Sequence, residues 1–300
     1  MMPALLLVVL AAALWGTTGT AAFWLGTGAS PLAIGAATMG FGGVILAVTG
    51  GSLTRVVLHD RSSRFWLVLG ALGVVLYPLT FYSGMALTGI AIGNVIALGL
   101  GPLTVAVLEW GVDRSRPSGR WWAISALAVV GILLMATSEV ELGGGRDSNV
   151  PLGVSLAVIA GLSYGLFTYA FGRLISLGHH PRGVIGAVFG SAAPILLVVL
   201  GLTGAGLVTS FTQISLVAYL VLGPMVIAYL AFSRALVTLR SSTVATAALV
   251  EPVVAGVLAL LVVGERLGPF GVLGGAVVIV SLVLLALGGG ERATPRNAYS

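Results

Sequence analysis

The sequence predicts an all-α membrane protein in which ten transmembrane helices form two inverted five-helix repeats, with both termini in the cytoplasm. Three observations support this fold class: an apolar composition, ten apolar segments of membrane-spanning length, and an uneven distribution of arginine among the loops. Hydrophobic residues make up 58% and charged residues 8% of the 300-residue chain, whereas soluble domains carry ~25% charged residues. The chain therefore has too little charge to cover a water-facing surface.

Ten apolar runs are long enough to cross a bilayer, which takes about 20 helical residues. The five runs of the first half are 3–23, 31–53, 65–85, 90–110 and 121–138. The five runs of the second half are 151–174, 184–208, 214–238, 241–263 and 270–288. Polar and apolar residues do not alternate as they do in membrane β-strands, so each run predicts a helix. The first run lacks a basic leader and a clear cleavage site, and we expect a retained helix rather than a signal peptide.

The arginines predict the orientation of the chain. All 14 basic residues are arginine, and alternate loops place 12 of them on one side and only Arg146 and Arg266 on the other. Positively charged loops stay in the cytoplasm, so the arginine-rich side, which includes both termini, is predicted to be cytoplasmic. The arginines are scattered through short loops, and we therefore expect no nucleic-acid binding despite the net charge of +5.

A hydrophilic segment at 138–150, predicted to lie outside, separates five helices from five. A shift of 150 residues superposes Pro102 on Pro252 and Arg116 on Arg266, which indicates an internal repeat. Because each half has an odd number of helices, the second half enters the membrane in the opposite orientation. Inverted repeats are typical of secondary transporters, whose site lies between the halves near the midplane. The predicted units are a first repeat at 1–145, a second repeat at 146–290 and a cytoplasmic tail at 291–300.

Several short segments carry a family resemblance. They are 14–16 (LWG), 81–87 (FYSGMAL), 94–102 (NVIALGLGP), 162–165 (LSYG), 251–252 (EP) and 264–267 (GERL). Together with the ten predicted helices, they resemble the drug/metabolite transporter superfamily of the EamA type over essentially the whole chain. The segment 101–103 (GPL) is similar to the amino-acid exporter branch. One departure is Ser115, which stands where the second half has Glu265.

The resemblance implies a secondary transporter that exports small metabolites, with amino acids or related amphiphilic compounds as the expected substrates. It implies alternating access without ATP or a cofactor, and a multi-pass location in a bacterial inner (plasma) membrane. Proton coupling is one expected driving force. A uniporter or channel-like facilitator, a flippase, and a carrier of carboxylates, amines or drugs remain alternatives, and a homodimer is left open.

Glu251 is the candidate for coupling transport to protons. It lies near the middle of the run 241–263, where a carboxylate costs at least ~2.5 kcal/mol. We therefore expect it to hold a proton or to face water or a cation. In one interpretation it couples protons or binds an amine. In the other it is a neutral acid bonded to a neighbouring helix, where Pro252 removes a backbone hydrogen bond.

Aromatic side chains with a polar edge are candidate substrate ligands, because they can pack on an apolar metabolite and bond its polar end. They are Trp15, Tyr77, Tyr82, Tyr164 and Tyr229. Asn94, Thr246 and Glu251 complete the predicted substrate site, although Asn94 and Thr246 could instead bond neighbouring helices. Tryptophans near helix ends, such as Trp121, are expected at the membrane interface. Glu109 is expected in a surface ion pair beside Arg114.

Four prolines inside predicted helices are candidate hinges, because proline removes a backbone hydrogen bond and permits a kink. They are Pro78, Pro102, Pro224 and Pro252. An enzyme is not expected: the histidines lie in loops, cysteine is absent, and no zinc-protease or Walker A motif occurs. The same observations predict no metal site.

Overall fold

The computed structural model of the chain describes residues 2–25, 30–88, 90–137, 149–207, 209–263 and 268–287. The first half contains α1 (Met2–Gly16), α2 (Thr18–Leu25), α3 (Pro31–His59), α4 (Arg64–Thr88), α5 (Ile90–Asp113) and α6 (Gly119–Thr137). The second half contains α7 (Val150–Ser176), α8 (Pro181–Thr203), α9 (Phe211–Leu220), α10 (Ala228–Ala235), α11 (Ser241–Ala247), α12 (Glu251–Leu258) and α13 (Pro269–Leu287). Within the described ranges every regular element is helical, which confirms the all-α prediction.

Local sequence explains where several helices begin. Proline stands in the first turn of α3, α7 and α8, where its missing N–H is not needed. The side chains of Asn149 and Ser210 accept hydrogen bonds from free amides of the first turns of α7 and α9, as helix-capping residues do. At the other end of α3, the helix continues to His59 past Gly51, whose φ of 52° marks a kink.

Most of the described residues in each of the ten predicted apolar runs are helical. Nine stretches of the described chain are long and apolar enough to cross a membrane, and α6 has a shorter apolar stretch, Gly119–Leu134. The number of crossings and the cytoplasmic position of the termini stay predictions. Large apolar side chains cover the outside of the bundle, among them Phe211 (83% exposed) and Leu202 (82% exposed). Soluble proteins avoid such a surface, whereas lipid covers it.

Besides the run 31–53, which contains the kink at Gly51, three runs are not single regular helices. The run 3–23 divides into α1 and α2, and the run 214–238 contains a π-helix at Val221–Ile227 between α9 and α10. The run 241–263 contains a 3₁₀ turn at Ala248–Val250 between α11 and α12, and a π-helix at Ala259–Val263. Such irregularities often mark functional positions in membrane helices.

Contacts between the halves follow a two-fold pattern. The equivalent helices α3 and α8 pack together, and so do α6 and α13. In the two repeats α1 is equivalent to α7, α4 to α10 and α5 to α12. The contact of α4 with α7 is therefore equivalent to that of α10 with α1, and the contact of α5 with α7 is equivalent to that of α12 with α1. Small residues bring α3 and α8 together, since a Cβ on Gly43 would lie 2.6 Å from the carbonyl oxygen of Phe189. Close backbone approach of this kind stabilises helix packing in lipid.

Candidate functional site

A cavity lies between the two halves and encloses about 600 Å³, including its opening to solvent. Helices α1 to α4 contribute to its wall from the first half, and α7, the π-helix at Pro224, α10 and α12 contribute from the second. Six of the predicted substrate-binding residues line it. They are Trp15, Tyr77, Tyr82, Tyr164, Tyr229 and Glu251. The structure therefore brings together residues that are up to 236 positions apart in the chain.

Aromatic rings of the cavity wall form two pairs. The ring centroids of Trp15 and Tyr229 are 5.0 Å apart, and those of Tyr77 and Tyr164 are 5.8 Å apart. Phe167, which is fully buried, lies behind the second pair at 5.7 Å from Tyr77 and 5.4 Å from Tyr164. Phe189 supports Tyr229 at 4.5 Å. Because these distances are typical of favourable aromatic contacts, the rings are held in place before any ligand binds.

The irregular segments of the transmembrane runs meet at this cavity. The indole N–H of Trp15, at the end of α1, donates a hydrogen bond of 2.8 Å to the carbonyl oxygen of Pro224 in the π-helix. Gly16 next to it lies against the backbone of Glu251, at the start of α12. Interrupted helices that meet near the midplane are a feature of transporter binding sites. Two of these interruptions lie at or just before the predicted hinges Pro224 and Pro252, whereas the break between α1 and α2 was not predicted from the sequence.

Glu251 is half-buried on the cavity wall. Its carboxyl group is close enough to interact electrostatically with the hydroxyls of Tyr77, Tyr82, Tyr164 and Tyr229. Within the part of the chain that the structure describes, its carboxyl has no hydrogen-bond donor and no cationic partner. This arrangement agrees with an acid that faces a cavity rather than one that is bonded to a neighbouring helix.

Asn94 and Thr246 are not among the residues that line the cavity. Thr246 is buried and shares a hydrogen bond of 3.0 Å with the hydroxyl of Ser125, which links α11 to α6. It also donates to the carbonyl oxygen of Ser242. Asn94 lies on α5, and its side-chain oxygen has no hydrogen-bond partner among the described residues. The contacts of Thr246 are those of a helix-packing residue.

The predicted hinges lie in four different settings. Pro78 and Pro102 are inside α4 and α5. Pro224 lies in the π-helix and lines the cavity. Pro252 is the second residue of α12, directly after the 3₁₀ turn. A proline in the first helical turn costs no hydrogen bond, so the break in this run precedes Pro252 and is not a kink within α12.

Three acid–base contacts, two with arginine and one with histidine, join the halves at one end of the bundle, and each has its acid in the first half and its base in the second. Asp60 lies 2.9 Å from His179, Asp113 lies 3.6 Å from Arg173, and Glu109 lies 3.0 Å from Arg240. Asp60 also accepts hydrogen bonds from Ser63 and Ser62, which hold the pKa of its carboxyl well below its usual range. The predicted orientation puts this end on the cytoplasmic side.

The structure corrects two expectations from the sequence. Glu109 is 5% exposed and forms a buried cluster rather than a surface pair with Arg114. Its carboxyl accepts hydrogen bonds from the Ser242 hydroxyl at 2.6 Å and the Ser242 amide at 3.1 Å, because α11 packs against the end of α5. Trp121 is 2% exposed and belongs to the hydrophobic core, not to the membrane interface.

Comparison with known proteins agrees with this architecture. The model of the EamA-like transporter family matches residues 2–137 and again residues 151–287, which confirms the two repeats. The "Uncharacterized transporter YwfM" of Bacillus subtilis (strain 168) is 32% identical over 98% of this chain and 97% of its own. An "Uncharacterized transporter" of Clostridium kluyveri is 27% identical over 54% of this chain and 51% of its own. A solved crystal structure with 19% identity shares the fold, with a TM-score of 0.78 over 95% of this chain and 96% of that one.

Proposed function

The chain belongs to the EamA-like transporter family, and we propose that it is a secondary transporter that exports small metabolites by alternating access. It is a membrane transporter and not an enzyme. We expect amphiphilic compounds related to amino acids as substrates, and a location in the inner (plasma) membrane of a bacterium. The observation that carries the proposal is the cavity between the repeats, where interrupted helices meet around Glu251.

The position of the ion pairs supports alternating access. Arg240 directly precedes α11, and Glu251 lies eleven residues further along the same run. Because a helix rises 1.5 Å per residue, the two residues are about 16 Å apart along the helix axis. The cavity therefore lies on one side of a layer in which the three acid–base contacts hold the halves together. If this layer faces the cytoplasm, the structure is closed toward the inside, and transport requires the layer to open.

Glu251 is the proposed coupling residue. An ionised acid without a cationic partner is costly inside a membrane, so the carboxyl is neutralised either by a proton or by a positively charged group of the substrate. If the two compete for one acid, the protein exchanges protons for substrate. Proton entry down its gradient then drives export of the substrate.

The test is transport by the full-length protein in proteoliposomes, with a pH gradient as the driving force. Glu251→Gln keeps the shape of the side chain but cannot release a proton, so it should fold but lose pH-driven accumulation of the substrate. Tyr77→Ala and Tyr164→Ala should cut the flux, whereas Trp122→Ala, on the exposed face of α6, should not. Acceleration by substrate on the opposite side separates a carrier from a channel-like facilitator.

Two results would contradict the proposal. If Glu251→Gln still accumulates substrate under a pH gradient, coupling does not use this residue. If neither tyrosine variant changes the flux of any transported compound, the cavity is not the substrate site.

A further inference from the structure

Among the described residues that line the cavity, one side chain is acidic, six are aromatic and none is basic. Glu251 is the one charged side chain among the described residues that line it. We propose that the cavity selects amphiphilic ligands that carry an ammonium group and lack a free carboxylate. This selectivity rests on the proposed function and narrows its substrate class from amino acids and related compounds to amphiphilic amines.

The location of the basic groups supports the exclusion of carboxylates. Arg173, His179 and Arg240 are already paired with acids at the end of the bundle away from the cavity. The carboxylate of an amino acid would lose its hydration in the cavity without gaining a cationic partner from the described residues. Since an unpaired charge in a low-dielectric site is costly, the zwitterion should bind more weakly than the corresponding amine.

The aromatic rings favour the ammonium group directly. Four tyrosine hydroxyls lie within electrostatic range of the Glu251 carboxyl, and all four side chains line the same cavity as this acid. Trp15 adds a fifth ring, 5.0 Å from that of Tyr229. An acid surrounded by tyrosine and tryptophan rings is a favourable environment for an ammonium ion, because the ring faces attract cations.

The remaining wall suits an apolar body. Met39, Met225 and Phe81 line the cavity beside the tyrosines, and methionine adapts its shape to different ligands. The hydroxyl of Thr18 donates to the carbonyl oxygen of Trp15, and that of Thr38 donates to the carbonyl oxygen of Ile34, so both threonine protons are already engaged.

Four ligands that share a phenethyl body test the proposal: phenethylamine, phenylalanine, 3-phenylpropionate and 2-phenylethanol. Their affinities for the purified full-length protein are measured at neutral pH by titration calorimetry. Phenethylamine should bind at least about tenfold more tightly than each of the others, a difference of about 1.4 kcal/mol. In Glu251→Gln, phenethylamine should no longer bind more tightly than 2-phenylethanol. Tyr164→Leu should weaken amine binding more than Tyr164→Phe, which keeps the ring.

Three outcomes would overturn the selectivity: phenylalanine or 3-phenylpropionate binds as tightly as phenethylamine, the preference survives Glu251→Gln, or phenethylamine does not bind. Arg146 and Arg266 lie outside the described residues, and each is replaced by glutamine as a further variant. If phenylalanine binds tightly to the wild-type protein and either variant loses this binding, an outer arginine provides the missing cation and the proposal is wrong.

Flux in proteoliposomes separates this inference from the proposed function. The permanently charged phenethyltrimethylammonium is used, because it does not cross lipid as a neutral amine. If it binds with the expected selectivity but is not transported, secondary transport is wrong and the selectivity stands. If phenylalanine is instead transported in a saturable way while the ammonium compound is not, transport stands and the selectivity is wrong.

Discussion

Gly16 is the point where α1 touches α12, and a single added methyl group there should disturb the substrate site. A Cβ on Gly16 would lie 2.9 Å from the carbonyl oxygen of Glu251 and 2.8 Å from the Cβ of Val254. Neither atom is the end of a flexible side chain, so the two helices must move apart by about 0.5 Å to restore ordinary contacts of 3.4 Å or more. Trp15 and Glu251, which flank this contact, would move with them.

The magnitude follows from two opposing effects. Overpacking a well-packed interior costs ~1–3 kcal/mol, and replacing glycine by alanine within a helix returns ~0.5–1 kcal/mol. We therefore expect Gly16→Ala to lower the free energy of unfolding by about 1–2 kcal/mol and to reduce transport. Gly19→Ala, in the same transmembrane run, is the matched control, because a Cβ there meets nothing within 4 Å.

Unfolding of the purified variants in mixed detergent micelles gives the stabilities, and proteoliposome flux gives the activity. Gly19→Ala should be at least as stable as the wild-type protein and should transport at the same rate. Equal stability and equal flux for the two variants would refute the reasoning, since the contact of α1 with α12 would then place no constraint on the site.

Two further predictions concern the ion pairs and the topology. Glu109→Gln and Arg240→Gln should each destabilise the protein by ~3–5 kcal/mol, because each removes one partner of a buried charge pair. The double variant should lose less stability than the sum of the two single variants. If the free energies of unfolding show that the two losses add, the prediction is wrong. The chain contains no cysteine, so single cysteines in place of Ser62 and Ser148 can be labelled selectively. An impermeant reagent applied from outside should label the second and not the first, and the reverse pattern would refute the predicted orientation.

The helices were predictable because the bilayer sets a minimum length for each apolar run, and loop charge suggests an orientation. The π-helix at Pro224 and the 3₁₀ turn before Pro252 lie at predicted hinges, whereas the break between α1 and α2 was not predictable, because a distant contact accompanies it. In the first run, Thr17 and Thr18 donate hydrogen bonds to the carbonyl oxygens of Leu14 and Trp15, and Thr17 also pairs with the Tyr219 hydroxyl. Side chains that bond backbone carbonyls in this way bend helices. The sequence around this break contains neither a proline nor two adjacent glycines, so it gives no clear signal that the helix ends there.

The face of each helix was harder to predict than its depth. A helix in a membrane is apolar toward lipid as well as toward its neighbours, so periodicity does not reveal which side lines a cavity. Depth alone selected Tyr77 and Tyr164, which line the cavity, and it selected Thr246 equally, which bonds Ser125 instead. These residues differ in whether the face of the helix that carries them is turned toward the cavity. The sequence carries no signal for the rotation of a helix about its own axis.

Glu109 and Glu251 show why partners decide the role of a buried acid. Both lie in apolar helices, and the sequence marked only Glu251 as costly. The structure gives Glu109 an arginine and the amide and hydroxyl of Ser242, 133 positions away, so in this state its charge is paired and links the two repeats. Glu251 receives no such partner from the described residues. Under the proposed function its neutralising charge comes and goes, as a proton or as the cationic group of a ligand, and this suits coupling rather than bracing.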